Sequence, residues 1–176
     1  MKFNRLFSPI TIPGMELKNR IVMLPMTTGL IDPGNTVGDR FIDFYIERAK
    51  GGAGLLVIPF TPMKDGTNVE PGLFDDGFLP GISTLTSRIH SFGAKAAAQL
   101  IISYIVVLRD DLPEVVGPSP VFNKVMHTVP RELTKEEIRL IVSSFGDAAR
   151  RAREGGFDAV EVLVGGGYIL NRFLSP

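Results

Sequence analysis

Four short segments of this chain are apolar along most of their length, and helical patterns separate them. They are residues 20–26 (RIVMLPM), 54–60 (GLLVIPF), 94–102 (AKAAAQLII) and 157–163 (FDAVEVL). A strand that faces water on one side alternates apolar with polar residues, whereas a strand apolar on both sides is covered on both. Between these runs, Phe41, Phe44, Tyr45 and Ala49 recur at helical spacing ahead of Gly51-Gly52. Ile82, Leu85 and Ile89 do the same ahead of Gly93. Thr134 and Glu137 have the spacing of a capping box. They precede an apolar stripe of Ile138, Ile141, Val142, Phe145, Ala149 and Ala152 that ends at Gly155-Gly156. Strand, helix, strand, helix with doubly apolar strands predicts βα units: a parallel sheet covered by helices.

Other segments fill in the outline. Ile10–Ile12 and Met15–Leu17 flank Pro13-Gly14, which suits the middle of a type II turn and predicts a small N-terminal hairpin. The stretch from Ser103 to Arg131 holds Pro113, Pro118, Pro120 and Pro130. A connection of about 30 residues in a compact domain is more often functional than idle. Val164 to Pro176 reads as a glycine-rich loop and the start of a further element. No hydrophilic linker divides the chain and no fixed-period repeat appears beyond the βα alternation. The pattern alone leaves both a doubly wound sheet and a (β/α) barrel open. A G-x-G-x-x-G turn is absent after the first apolar run, where the sequence is Pro25-Met26-Thr27-Thr28-Gly29, and this disfavours a dinucleotide-binding Rossmann unit.

Composition removes several classes of function. Nineteen basic and nineteen acidic residues give a formal net charge of +0, so there is no broad electrostatic case for nucleic acid or an anionic membrane surface. With Cys 0, disulfides, thiolate metal sites and a cysteine nucleophile are excluded within this chain; His 2 leaves little for a histidine metal site. The apolar runs fall far short of the roughly 20 residues that span a bilayer. No leader pattern opens the chain. The expectation is a soluble, cytoplasmic protein with one core in its 176 residues.

Several ordered blocks resemble the old yellow enzyme family of flavin-dependent oxidoreductases. They are LFSPITIPGMELKNRIVMLPMTTG, GGAGLLVI, PGISTLTSRIHSFGAKAAAQL, PRELTKEEIRLIVSSFGDAARRAREGGFDAVEV and the closing GYILNRFLSP. The likeness runs from about Leu6 to Pro176. It implies an eight-stranded (β/α) barrel with FMN at the C-terminal mouth and NADH or NADPH as reductant. Residues 1–176 then form a single N-terminal half-barrel of about four βα units, cut short at its C-terminus. Three origins are open: a fragment of a longer polypeptide, a truncated product, or a half-barrel that pairs with itself. In each, the outer strands have open edges. Barrel-facing residues, here taken to include Val22, Leu56 and Ala98, would have nothing to pack on.

The resemblance also nominates site residues. Pro25, Met26 and Thr27 end the first strand, and the family's residue at Thr27 approaches the flavin ring and tunes its electronics. The plainer role is a hydroxyl that bonds turn backbone. Gln99 lies in an otherwise apolar strand, and a buried amide needs partners. The family places a Gln here against the flavin pyrimidine edge; the alternative is a core amide satisfied by backbone. Phe60 stands where the family has a small residue against the flavin. Tyr168 matches the family's proton-donating tyrosine, or packs across the barrel mouth. Departures accompany these matches. The family's substrate-binding His and His/Asn positions are Leu163 and Gly166, another frequent His is Ile102, and Pro59 replaces a frequent acidic residue.

The remaining polar residues have simpler expected roles. His90 ends the second helix and faces solvent, while His127 lies in the long loop, where reach to a substrate is the lesser expectation. Glu161 is expected as a buried partner of a cation ahead of a catalytic carboxylate. Arg150-Arg151-Ala152-Arg153 is expected as a solvated helix end. The leading reading is an NAD(P)H-dependent FMN oxidoreductase passing hydride to an electron-poor alkene or related small molecule, with no metal, nucleic acid or membrane partner. The rival is a non-catalytic half-barrel that self-associates as a homo-oligomer and holds flavin weakly. In the family the FMN phosphate is bound by loops after the seventh and eighth strands. A carboxylate-based barrel enzyme without flavin is a third, weaker alternative.

Overall fold

The computed structural model describes residues 3–67, 69–109, 112–124 and 126–174. Residues 110, 111 and 125 of the long connection, and the terminal Ser175 and Pro176, lie outside the described residues. The hairpin of β1 (Ile10–Ile12) and β2 (Met15–Leu17) is antiparallel, with Ile12 opposite Met15. Gly14 takes φ 81°, the positive value that the second central position of a type II turn requires.

The βα units then follow in order: β3 (Val22–Met23), α1 (Asp39–Lys50), β4 (Leu55–Phe60), α2 (Leu79–His90) and β5 (Lys95–Leu100). An excursion comes next, made of β6 (Ile105–Arg109), β7 (Leu112–Gly117) and β8 (Arg131–Glu132). The chain returns through α3 (Lys135–Glu154) to β9 (Ala159–Val162), and α4 (Ile169–Leu174) closes it. β3, β4, β5 and β9 lie side by side in that order, all parallel. Neighbouring strands in chain order are neighbours in space, as in a barrel wall, so this is a partial (β/α) barrel. The first strand is shorter than the apolar run that predicted it, two residues against seven.

The core lies between the sheet and its helices. Phe41, Tyr45 and Ile46 of α1, and Ile82, Leu85 and Ile89 of α2, are each at most 1% exposed. They pack on Leu56, Ile58 and Phe60 of β4 and on Ala96, Ala98 and Leu100 of β5. Successive strand residues point to opposite faces, so Leu55, Val57, Pro59, Ala97 and Gln99 point to the barrel side. This corrects the expectation for Leu56 and Ala98, which are helix-facing and fully buried. Val22 does face the barrel side and is 41% exposed, as are its neighbours in phase Leu24 and Met26 at 73% and 50%.

α3 begins at the expected capping box: Thr134 Oγ1 accepts from Glu137 N–H at 3.2 Å, and Glu137 Oε2 accepts from Thr134 N–H at 2.9 Å. Ile141, Ala148 and Ala152 bury its stripe, while Val142, expected there, sits at the margin and is 65% exposed. The excursion has a small core of its own. Met63, Ile102, Val106, Val116, Leu133 and Ile169 form it with Ile141 of α3.

Candidate active site

The C-terminal ends of β3, β4, β5 and β9 share one rim, because the strands are parallel. Ligands of (β/α) barrels gather at that rim. Three polar pairs stand there. Thr27, just beyond β3, donates its hydroxyl to Glu70 Oε1. Glu70 is 5% exposed. It comes from the loop between β4 and α2, so the bond ties two rim loops together. Asn35 holds the same loop, with Nδ2 donating to the Glu70 carbonyl at 2.7 Å. Burial, and next the nearby Asp65, push the Glu70 carboxyl up to about 7, against the Thr27 bond that favours its charged form. Behind it, the Tyr45 hydroxyl is buried without a hydrogen-bond partner among the described residues. Burial first and Glu70 second push that phenol up.

The second pair links two strands. Gln99 and Glu161 are register partners of β5 and β9, and Gln99 Nε2 donates to Glu161 Oε1 at 2.5 Å. The carboxylate acceptor fixes which end of the amide is NH₂. Gln99 is 6% exposed, and its Oε1 has no partner among the described residues. Glu161 therefore departs from expectation: it is exposed on the barrel side and its partner is an amide, not a cation.

The third pair is aromatic. Tyr168 follows a glycine turn after β9, and its ring stacks on that of Tyr104 with centroids 5.4 Å apart and planes at 21°. Tyr104 follows β5. Its hydroxyl donates to the Gly166 carbonyl at 3.0 Å. Burial, then Tyr168, push the Tyr104 phenol up, and Arg172 opposes.

Sequence-predicted residues divide accordingly. Pro25, Met26, Thr27, Gln99 and Tyr168 lie on the rim or the barrel side. Phe60 does not: its ring points into the helix-facing core, 0% exposed, edge-on to Phe157 at 5.4 Å. Ile102 is buried in the small core. Leu163 and Gly166 bring no donor side chain, as read. His90 is at the opposite end of the sheet. Its Nε2 meets Asp158 Oδ2 at 2.7 Å, beside Lys95 Nζ on Oδ1 at 2.7 Å. Despite desolvation, bonds from Lys95, the Ala96 N–H and His90 hold the Asp158 carboxyl below its ordinary value. His127 is exposed between the bridged residues Asn123 and Thr128. Arg150 and Arg151 are not simply solvated: both reach Asp76 at the entry to α2.

Glu70 and Tyr104 went unread because both lie in loops, where a carboxylate or phenol defaults to a solvent role. Glu70 sits between turn residues with no periodicity to mark it as buried. No group of three metal-ligating side chains occurs among the described residues, and none of the described helices is long and apolar enough to cross a membrane.

Comparison with known proteins gives this rim a context. A model of the NADH:flavin oxidoreductase / NADH oxidase family matches residues 5–176. The chain is 42% identical over 175 residues to a metal reductase of Desulforamulus reducens, covering 97% of this chain and 26% of that protein. It is 36% identical to an NADPH dehydrogenase of Listeria welshimeri, covering 98% of this chain and 52% of the relative. Old Yellow Enzyme from a Pichia species superposes with TM-score 0.87 over 97% of this chain and 48% of its own, at 24% identity, which speaks to the fold. The chain thus spans about a quarter to a half of these relatives. It belongs to the NADH:flavin oxidoreductase / NADH oxidase family, the old yellow enzyme family, whose cofactors are FMN and NADH or NADPH.

Proposed function

We propose that the protein containing this chain is an NAD(P)H-dependent FMN oxidoreductase that reduces an electron-poor alkene, and that residues 1–176 supply the first half of its barrel. The observation that carries this reading is the open acceptor Gln99 Oε1 on the barrel side, with its amide oriented by Glu161. The residues at hand fit the ring end of FMN. An isoalloxazine has apolar faces and a pyrimidine edge with one N–H between two carbonyls. Leu24 and Met26 offer exposed apolar surface, the Gln99 amide offers an acceptor beside its NH₂ donors, and Thr27 brings a hydroxyl. When bound, FMN supplies the two-electron chemistry that connects a nicotinamide with an organic acceptor.

The chain's own part is orientation and proton supply. Gln99 holds the cofactor edge, with Glu161 keeping the amide from flipping. Thr27 stands at the rim with its hydroxyl direction set by Glu70. As hydride reaches one alkene carbon, the Tyr168 hydroxyl gives its proton to the other, and the phenolate recovers a proton from water. The balance is one NAD(P)H and one proton consumed per double bond reduced. Leu163 and Gly166 donate nothing to the acceptor's oxygen, so activation of that oxygen falls to groups other than the family's usual histidines.

Two measurements test the reading. The purified whole protein should show flavin absorbance that bleaches with NADH or NADPH; a colourless protein that takes up no flavin on reconstitution contradicts it. Tyr168→Phe should leave flavin reduction by the nicotinamide unchanged and slow reoxidation by an enone about 10²–10⁴-fold. Wild-type rates in both half-reactions would make Tyr168 a packing residue.

A further inference from the structure

The rim holds a second phenol that the reaction above does not use. Tyr104 directs both its ring stack and its hydroxyl bond at the segment that carries Tyr168. Its ring is stacked on the Tyr168 ring, and its hydroxyl bonds the Gly166 carbonyl at 3.0 Å. That segment has three glycines in a row before Tyr168, and Gly166 and Gly167 take φ of 68° and 78°. A backbone of this kind has wide freedom unless something external fixes it. A Cβ on Gly167 would lie 3.1 Å from the Tyr104 hydroxyl, a tight approach that shows how closely that hydroxyl sits on the turn. On the C-terminal side, Asn171 Oδ1 accepts from Gly167 N–H at 3.1 Å. Arg172 stands 5.8 Å from the Tyr104 ring centroid and donates to the Val116 carbonyl at 2.9 Å. On the far side of Tyr168, Ile169 is anchored by its N–H on the Ile102 carbonyl and by its buried side chain, so Tyr104 is the side-chain link that holds the glycine side of the turn to the body of the fold.

We propose that Tyr104 is a positioning residue for Tyr168: its ring sets the plane of the Tyr168 phenol, and its hydroxyl holds the glycine turn from which that phenol projects. The inference rests on the reading of Tyr168 as the proton donor. Tyr104 need not touch the substrate. A misplacement of about 1 Å in a reacting group can cost about 10²-fold in rate, and a triple-glycine turn permits that much without the stack.

The test uses the whole flavoprotein, with 2-cyclohexen-1-one as acceptor and dioxygen as a control oxidant that has no alkene carbon to protonate. Tyr104→Leu should slow reoxidation by the enone about 10–100-fold, with flavin reduction and reoxidation by dioxygen unchanged. Tyr104→Phe keeps the stack and should recover to within about fivefold of wild type. In a Tyr168→Phe background, Tyr104→Leu should add nothing further. Additive slowing, or equal slowing with dioxygen, overturns the positioning role. Wild-type enone turnover in Tyr168→Phe removes the proton-donor reading instead.

The stack is also read without turnover, by near-ultraviolet circular dichroism of the flavin-free protein. Tyr104→Leu and Tyr168→Leu should each change the tyrosine band, and the double variant should change it by less than their sum. A strictly additive change means the rings do not interact, and the proposal falls whatever the enone does.

Discussion

Gln99 has one half of its amide spoken for by Glu161 and the other half open. Replacing it with Leu keeps the strand and its volume but leaves the polar edge of a bound flavin unpaired, at about 1–3 kcal/mol per group. FMN dissociation from the whole protein, followed by absorbance or fluorescence titration, should weaken by roughly 10–100-fold for Gln99→Leu with no loss of fold. Equal affinities would return Gln99 to the core. Glu70 makes a different prediction, because its proton is shared with stability. Its folded carboxyl stands at about 7 against an ordinary 4.5. The native state therefore holds this proton more tightly than the unfolded chain does. The group's contribution to stability is complete below pH 4.5 and is lost as pH rises through 7, a total of about 3 kcal/mol. Glu70→Gln keeps the shape and cannot ionise. In urea unfolding it should match wild type near pH 5 and exceed it by about 1–3 kcal/mol at pH 8. A difference that does not change with pH would mean that Glu70 titrates like a surface carboxylate.

At the scale of elements, the sharpest expectation concerns the start of α3. Thr134 and Glu137 satisfy each other's backbone donors, and the two terminal guanidinium nitrogens of Arg131 also donate to Glu137 at 2.9 and 3.0 Å. Thr134→Ala removes one acceptor and should lower stability by about 1 kcal/mol, measured by chemical denaturation. The three long helices were legible because an apolar period at each is followed by a glycine with positive φ, Gly52, Gly93 or Gly156, and the parallel strands because they are apolar runs alternating with those helices. Which face of β4 and β5 meets the helices was not. When both faces are apolar, alternation carries no signal, and this is why Leu56, Ala98 and Phe60 were assigned to the wrong side. The β6–β7–β8 sheet was hidden for another reason. Four prolines made the segment read as a loop, yet Pro113 sits in β7 where only β6 and a short β8 flank it. α4 was hidden behind the glycines that precede it. The rim residues that came through, Thr27, Gln99 and Tyr168, did so by resemblance. Their partners Glu70, Glu161 and Tyr104 became visible only once the chain was folded.

The whole molecule has two open sides. Val22, Leu24 and Met26 are exposed beside the β3 edge, and Val160, Val162 and Val164 beside the β9 edge at 38%, 45% and 40%. Uncovered strand edges with apolar flanks favour association. The 176-residue chain expressed by itself should therefore run as a dimer or larger in light scattering at micromolar concentration, and hold FMN at less than one per chain. A monomer with stoichiometric flavin would contradict both halves of that expectation. The Gln99–Glu161 pair has a bearing on synthesis as well. The partners are 62 positions apart, and a ribosome adding about 5–20 residues per second separates their emergence by roughly 3–12 s. For that interval the edge of β5 has no neighbour. What the ribosome delivers meanwhile is the β6–β7–β8 excursion and α3, whose small core draws on residues already made or close behind. The nascent chain thus packs its excursion before it closes its wall, and the edge of β5 stays unpaired until β9 emerges.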